Sequence, residues 1–389
     1  MTTPRLGILA SHPVQYYAPL YRELAKHLDL HVYFAHRQTA AGQADAGFGV
    51  AFDWDVDLLG GYPHTFLENR SRQPGTSRFS GCDTPEIATH VRAERFDAFL
   101  VMGWYLKSHW QAILACRRAG IPVLVRGDSH LVTPRNPLKR LAKAFLYPLL
   151  MRQFAAGLPV GHHNRQYLTH YGLRDAQLFA SPHCIDTQAF AAGAARVDRG
   201  QARQALGLTP ETAAVLFVGK LLDRKRPVDL LQAVARFPAE RPVTVLFAGD
   251  GPRRDALQAE ARRLGVEARF LGFRNQTELP EAYVMADVLC LPSEGSETWG
   301  LVCNEALACG TPVVVSDAVG CAPDLALEGQ TGAVFPLGDV DALANALQRA
   351  LTLPRDSQAI AAVSARHSVE AAAAGIVMAT QAVVRGDAP

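Results

Sequence analysis

Short apolar runs alternate with helical segments along almost the whole chain, and no other feature restricts its fold so tightly. In the first half the runs lie at residues 5–10, 30–34, 98–102, 122–126 and 157–160. Helices are expected near 18–27, 84–93, 105–119 and 138–154. A second alternation puts strands at 214–219, 243–248, 268–271, 288–291, 312–316 and 332–335, with helices between them and at 339–350. Apolar runs that are continuous rather than alternating belong to strands covered on both faces, as in parallel sheets with crossover helices. Two such series in 389 residues call for two α/β domains. Residues 36–83 read as an irregular insertion rich in Gly, Arg and aromatics, and 193–209 as a hinge followed by a short helix.

Half of the residues are apolar and a fifth are charged, which excludes a disordered chain. No apolar run approaches the ~20 residues that cross a bilayer, and the N-terminus lacks the pattern of a secretory signal. The expected location is the cytoplasm. Seven scattered cysteines without a C-x-x-C pair are expected to be reduced and mostly buried, with no structural metal. Residues 1–190 carry 20 Lys/Arg against 14 Asp/Glu, while the remainder carries 19 against 23. The basic half fits an anionic partner such as a phosphate or a lipid headgroup, or an uneven split between two soluble domains.

Two stretches carry the chemistry. In Leu291-Pro292-Ser293-Glu294-Gly295-Ser296-Glu297-Thr298-Trp299-Gly300-Leu301-Val302-Cys303-Asn304-Glu305-Ala306, a strand ends, a loop follows, and a helix begins near Gly300. Loop amides and a helix N-terminus at the mouth of a sheet form an anion site. Glu305 lies more than one turn into an otherwise apolar helix, where it either faces solvent or serves a partner such as a ribose diol. Glu297 is either a donor contact or a plain loop acid. In Gly219-Lys220-Leu221-Leu222-Asp223-Arg224-Lys225-Arg226-Pro227, four cations follow a strand. Cations so placed suit a diphosphate, although charge runs are often solvated.

Glu297-x7-Glu305, followed by Ala306-x-Ala308-x-Gly310-x-Pro312-Val313-Val314, resembles the E-x7-E signature of family 4 retaining glycosyltransferases of GT-B fold. Ala248-Gly249-Asp250-Gly251-Pro252, Leu271-Gly272-Phe273 and Gly332 match that family's C-terminal domain in order and spacing. The resemblance is detailed over roughly residues 210–350. It implies two Rossmann-like domains with parallel sheets facing across a cleft: an acceptor-binding domain at 1–192, a donor-binding domain at 193–365, and a helical segment at 366–389 returning to the first.

The resemblance also implies transfer of a sugar from a nucleotide-diphosphate sugar to an acceptor hydroxyl, with retained configuration and no required metal or cofactor. A sugar or lipid-linked acceptor of bacterial polysaccharide, lipopolysaccharide or glycolipid synthesis is expected, and no nucleic acid. Carried onto this chain, Gly219, Lys220, Arg224 and Lys225 border the diphosphate and Glu305 holds the ribose. Glu297 with Thr298, Trp299, Gly300 and Leu301 closes on the sugar and phosphate, and Gly272 and Phe273 border the base. Lys220 replaces the family's commoner Arg, and Arg226 a position that is often Gly. On the acceptor side the family's first-loop glycines are missing. His12 and Gln15 stand there, and Asp128 and His130 follow a later strand; each is either a functional group or a structural one. A nucleotide-sugar epimerase or a non-catalytic homologue on the same scaffold are the alternatives.

Three further features are weaker. Asp53-x-Asp55-x-Asp57 resembles a metal-binding DxD, but stands in the irregular region rather than after a strand. Gly249-Asp250-Gly251 is a fragment of a dinucleotide fingerprint without its third glycine. Residues 137–154, with Lys139, Arg140, Lys143 and Arg152 beside six large apolar residues, either lie on an anionic membrane surface or pack on their own sheet, kinked at Pro148.

Overall fold

The computed structural model describes residues 3–38, 54–132, 137–238 and 242–386. It divides into two compact units, one of residues 1–39, 57–183 and 369–389, the other of residues 40–56 and 184–368. The change of unit thus falls at 183/184 rather than at 192/193.

In the first unit, strands β1 (Arg5–Ala10), β2 (Asp29–Phe34), β3 (His64–Phe66), β4 (Ala98–Met102), β5 (Val123–Gly127) and β6 (Ala156–Pro159) form one sheet in the order β3-β2-β1-β4-β5-β6. All its pairings are parallel. Helices α1 (Ala18–Ala25), α2 (Ile87–Glu94), α3 (Lys107–Ala119), α4 (Pro137–Met151) and α5 (His162–His170) supply the crossovers. Strand β3 lies inside the stretch expected to be irregular. It is only three residues long and sits at the sheet edge, so it has too few positions to show a pattern.

The second unit begins with α6 (Thr187–Ala195) and α7 (Arg199–Ala205), each capped by an aspartate: Asp186 accepts from Ala189 N and Asp198 from Gln201 N. The short helix expected within 193–209 is α7, while the hinge expected before it is partly helix, since residues 193–195 close α6. Phe190 is buried there, and a Cβ on Gly193 would stand 2.7 Å from Pro280. Strands β7 (Ala213–Val218), β8 (Val243–Ala248), β9 (Glu267–Gly272), β10 (Val288–Leu291), β11 (Val313–Ser316) and β12 (Gly332–Phe335) follow, in the order β12-β11-β10-β7-β8-β9. They alternate with α8 (Pro227–Val234), α9 (Arg254–Leu264), α10 (Leu279–Met285), α11 (Leu301–Ala308), α12 (Ala322–Leu325) and α13 (Val340–Ala350). Counted from its first strand, this order is the same as that of the first sheet. Both are doubly wound, and the architecture is GT-B: two Rossmann-like units in one chain.

In such a sheet the strand order reverses beside the first strand, between β1 and β4 in one unit and between β7 and β10 in the other. Loops after these strands run in opposite directions and leave space at the strands' C-terminal ends, where ligands of this fold class sit. Burial explains the strands themselves: all six residues of β7 and all four of β10 and β11 are buried, as a sheet covered on both faces requires.

Helix α14 (Gln358–Arg366) closes the second unit and α15 (Val369–Arg385) returns to the first, packing on α1 and β6. Ala372 O accepts from Ser181 Oγ at 3.0 Å, and a Cβ on Gly375 would stand 1.8 Å from Ala180 O, so only glycine permits this approach. The stretch Gln358–Arg385 is long and apolar enough to cross a membrane, with mean hydropathy 1.2, but 44% of that window is buried in the protein. All seven cysteines are free and buried.

Candidate functional site

The loop after β7 starts at Gly219, whose φ of +134° turns the chain sharply, and runs through Lys220 to a 3-10 turn at Asp223–Lys225. Arg226 has φ +51° and ψ 43°, a left-handed conformation that glycine adopts most readily. Its guanidinium bonds Asp229 on its own helix at 2.7 Å, so Arg226 leaves the expected cation cluster. Lys220, Arg224 and Lys225 remain. Burial first, and then the charges of Arg224 and Lys225, hold the Lys220 ammonium below its usual pKa. A lysine whose charge is disfavoured by burial and by neighbouring cations favours a bound anion.

The loop after β10 lies beside it, because β7 and β10 are neighbours. Glu294 N donates to Arg224 O at 3.0 Å, and the Lys225 ammonium donates to the Glu297 carboxylate. Four further bonds fix the loop: Ser316 Oγ to Ser293 O at 2.6 Å, Gly320 N to Glu297 O at 3.1 Å, Cys321 N to Trp299 O at 3.0 Å, and Trp299 Nε1 to Asn304 Oδ1 at 2.8 Å. Trp299 is thus a buried brace rather than a surface contact, whereas Thr298 and Glu297 are half-buried. Gly300 has φ +104°, and Leu301 opens α11, in whose first turn Cys303 N donates to Gly300 O at 2.9 Å.

Glu305 sits in the second turn of α11 and is 6% exposed, which settles its orientation: it faces inward. Tyr283 donates its hydroxyl to Oε2 at 2.6 Å, and Gln276 also bonds the carboxylate. Burial raises the Glu305 pKa to about 7, against the opposing pull of the two bonds. Gln276 belongs to the loop after β9, the loop of Gly272 and Phe273. Gly272 has φ +73° and its carbonyl accepts from Gly249 N at 2.8 Å. The strand-end loops of β8 and β9 are thereby tied together, and the β9 loop meets α11 at Glu305. Neither Tyr283 nor Gln276 was marked by the sequence. Tyr283 lies in a helix buried at six of its seven residues, where an aromatic reads as core, and only the fold reveals the acid opposite it.

The first unit places its candidates less coherently. Ser11 Oγ and His12 Nδ1 are 2.9 Å apart, and burial together with His36 lowers the His12 pKa to about 4. Gln15 and Asp128 are half-buried, while His130 is 2% exposed and packs 6.4 Å from the His163 ring. The charge of Asp128 reaches Tyr16. Sequence reasoning passed over Arg126, the last side chain before this loop. It is 1% exposed and donates to Ser181 Oγ at 3.1 Å, Ser181 O at 3.2 Å and Pro182 O at 2.9 Å.

Of the three-aspartate motif, Asp53 lies outside the described residues. Asp55 accepts from the amide of Thr277 at 3.0 Å and from its hydroxyl, whereas Asp57 accepts from the amides of Leu59 and Gly60 at 3.0 and 2.9 Å. These two acids therefore serve different units. Among the described residues no cluster of three or more metal-ligating side chains occurs.

Comparison with known proteins bears on the second unit. Residues 198–367 match the family described as glycosyl transferases group 1. The matched span runs from α7 to the end of α14 and contains every donor-side candidate. The chain is 34% identical over 215 residues to a D-inositol 3-phosphate glycosyltransferase of Kribbella flavida, covering 52% of this chain and 49% of the relative. It is 40% identical over 171 residues to the enzyme of the same name from Mycobacterium marinum, covering 42% and 34%. The chain thus spans half or less of the length of these curated relatives. Among solved structures, HepE of Anabaena in complex with UDP and glucose superposes with a TM-score of 0.66 at 19% identity, over 97% of this chain and 100% of that one. Sucrose-phosphate synthase of Thermosynechococcus elongatus gives 0.69 at 18%, over 98% and 100%. These two likenesses establish the fold.

Proposed function

We propose that the protein is a glycosyltransferase that moves a sugar from a nucleotide-diphosphate sugar to an acceptor hydroxyl, with retention and without a required metal. One observation carries this reading: at the switch point of the second sheet, a cluster of Lys220, Arg224 and Lys225 and a helix N-terminus lie beside a buried acid, Glu305. Two linked phosphates fit the cations and the amides, and the hydroxyls of the attached ribose fit Glu305.

As the bond to the sugar breaks, negative charge grows on the leaving diphosphate. Lys220 and Lys225 then provide the electrostatic stabilisation, and no protein nucleophile is needed. Glu297 engages the sugar hydroxyls once the diphosphate takes Lys225. The acceptor is a sugar or lipid-linked hydroxyl compound bound by the first unit, with His12, Gln15, Asp128 and His130 as its candidate contacts. The reaction belongs to polysaccharide or glycolipid synthesis on the cytoplasmic side, where nucleotide sugars are supplied.

A thermal-shift panel of UDP, GDP, ADP and dTDP sugars tests the donor half. A ligand at a hundredfold its Kd stabilises by about 2.7 kcal/mol. UDP sugars come first, since HepE is seen with UDP and glucose. Proton NMR of the product fixes the anomeric configuration, and an EDTA control tests metal independence. No stabilisation by any nucleoside diphosphate, or an inverted product, would overturn the corresponding part of the proposal.

A further inference from the structure

From residue 129 to residue 174 the chain contains no Asp or Glu and seven Lys or Arg. Helix α4 lies within this stretch, and its two sides differ. The inner side is occupied: Leu150 and Met151 are buried, and the Lys143 ammonium lies 4.6 Å from the centre of the Tyr147 ring. The outer side carries Leu138, Leu141, Phe145, Leu146 and Leu149, which are 76%, 58%, 70%, 62% and 55% exposed. The spacing of Leu138, Leu141, Phe145 and Leu149 (three, four and four residues) aligns them along one stripe. Packing on the sheet and an outward apolar face therefore coexist, because the helix is apolar on both sides.

We infer that this stripe of α4 docks on the surface of an anionic phospholipid bilayer, with the helix axis parallel to the membrane. A continuous row of exposed leucines and phenylalanine on a charged protein marks an interaction surface rather than ordinary scatter. The flanking charge selects the occupant. Arg140 is exposed on the same helix and Arg152 directly after its end, and Arg117, whose guanidinium bonds Gln153, extends the cationic rim. Apolar side chains in the acyl boundary with cations at the phosphates describe an interfacial helix. A second copy of the chain would set these cations against their own kind, which disfavours self-association through this face. The inference stands on this surface alone and does not depend on the proposed sugar transfer.

Cosedimentation of the full chain with vesicles tests it. The expected result is binding to phosphatidylglycerol–phosphatidylcholine vesicles, at least tenfold weaker binding to phosphatidylcholine alone, and a fall with added salt. The double variant Phe145→Ser/Leu149→Ser and the double variant Arg140→Glu/Arg152→Glu should each weaken binding at least tenfold. All four residues are exposed, so both variants should keep the melting temperature of the parent. Failure of the parent to sediment with anionic vesicles, or unchanged binding by the Phe145→Ser/Leu149→Ser variant, overturns the inference. So does a dimer in size-exclusion chromatography that this variant abolishes while lipid binding is absent.

Discussion

The hydroxyl of Tyr283 donates to the Glu305 carboxylate at 2.6 Å, joining α10 to α11 beneath the loop that follows β9. Burial holds this acid near pKa 7, against about 4.5 for a free glutamate. The unfolded chain releases the proton near 4.5, while the folded chain keeps it until about 7. Protonated Glu305 therefore stabilises the fold fully below pH 4.5, and that contribution is lost as pH rises through 7. The loss is about 1.4 kcal/mol per pH unit, some ~3 kcal/mol in total. Urea unfolding at pH 5, 6 and 7 should show this slope as the difference between the parent and Glu305→Gln. Ribose hydroxyls bond best to the ionised acid, so nucleoside diphosphate affinity should rise from pH 6 to pH 8 in the parent. In Glu305→Gln it should be weak and flat, and a parent affinity independent of pH would remove Glu305 from the ribose.

Lys225 and Glu297 give opposite expectations. Lys225→Met removes a charge-assisted bond to the diphosphate worth about 1.5–3 kcal/mol, so nucleoside diphosphates should bind about 10–150-fold more weakly. Glu297→Gln releases Lys225 from its present partner and takes a negative charge away from the phosphates. It should bind UDP or its equivalent more tightly, yet turn over more slowly, because a contact to the sugar is lost. Calorimetry with the nucleoside diphosphate and steady-state rates with the sugar nucleotide separate the two effects. If both variants weaken the nucleotide equally, the pair is a structural brace and not a charge switch.

Much of this arrangement was legible before any coordinates. Periodicity located eleven of the twelve strands among the described residues, because most of those runs are buried on both faces and show it in composition, although β9, at the sheet edge, is only partly buried. The Glu297–Glu305 spacing led to the loop–helix junction, where residues close in sequence are also close in space. What stayed hidden depended on pairing across the fold. Arg226 reads as a fourth cation until Asp229 is found to hold it, and the start of the 193–209 segment reads as a hinge until Pro280 is found against Gly193. Likewise Tyr283 and Gln276 gain meaning only when α11 sets Glu305 before them.

Glycine at position 320 is required by contact rather than by conformation. A Cβ there would stand 1.8 Å from Thr298 O, and the residue's own amide bonds Glu297 O at 3.1 Å. Gly320→Ala must push the 297–299 backbone away from α12. The loop amides expected to close on sugar and phosphate move with it, so donor KM should rise at least tenfold. The displacement is local, and a steric clash of this kind costs about 1–3 kcal/mol of stability. A kinetic profile identical to that of the parent would show that the loop's position is not set by this contact.

Arg126 offers a test confined to the first unit. Its guanidinium is buried at the end of β5 and reaches the two carbonyls of Ser181 and Pro182, just before the chain changes unit. Ser181 Oγ, which accepts from Arg126, donates in turn to Ala372 O of α15. One side chain therefore ties a sheet strand to the 181–182 segment and, through it, to the returning helix. Arg126→Met leaves those carbonyls without their donor in a buried setting, at about 1–3 kcal/mol for each unsatisfied group. Arg126→Lys should rescue little, since an ammonium cannot span acceptors arranged for a planar fork. Amide hydrogen exchange should show faster exchange in β5, in residues 178–183 and in α15 for both variants, with the second sheet unchanged. Nucleotide binding should also survive, because every candidate donor contact lies in the other unit. Loss of nucleotide binding in Arg126→Met, with the fold otherwise intact, would instead place Arg126 in the working site.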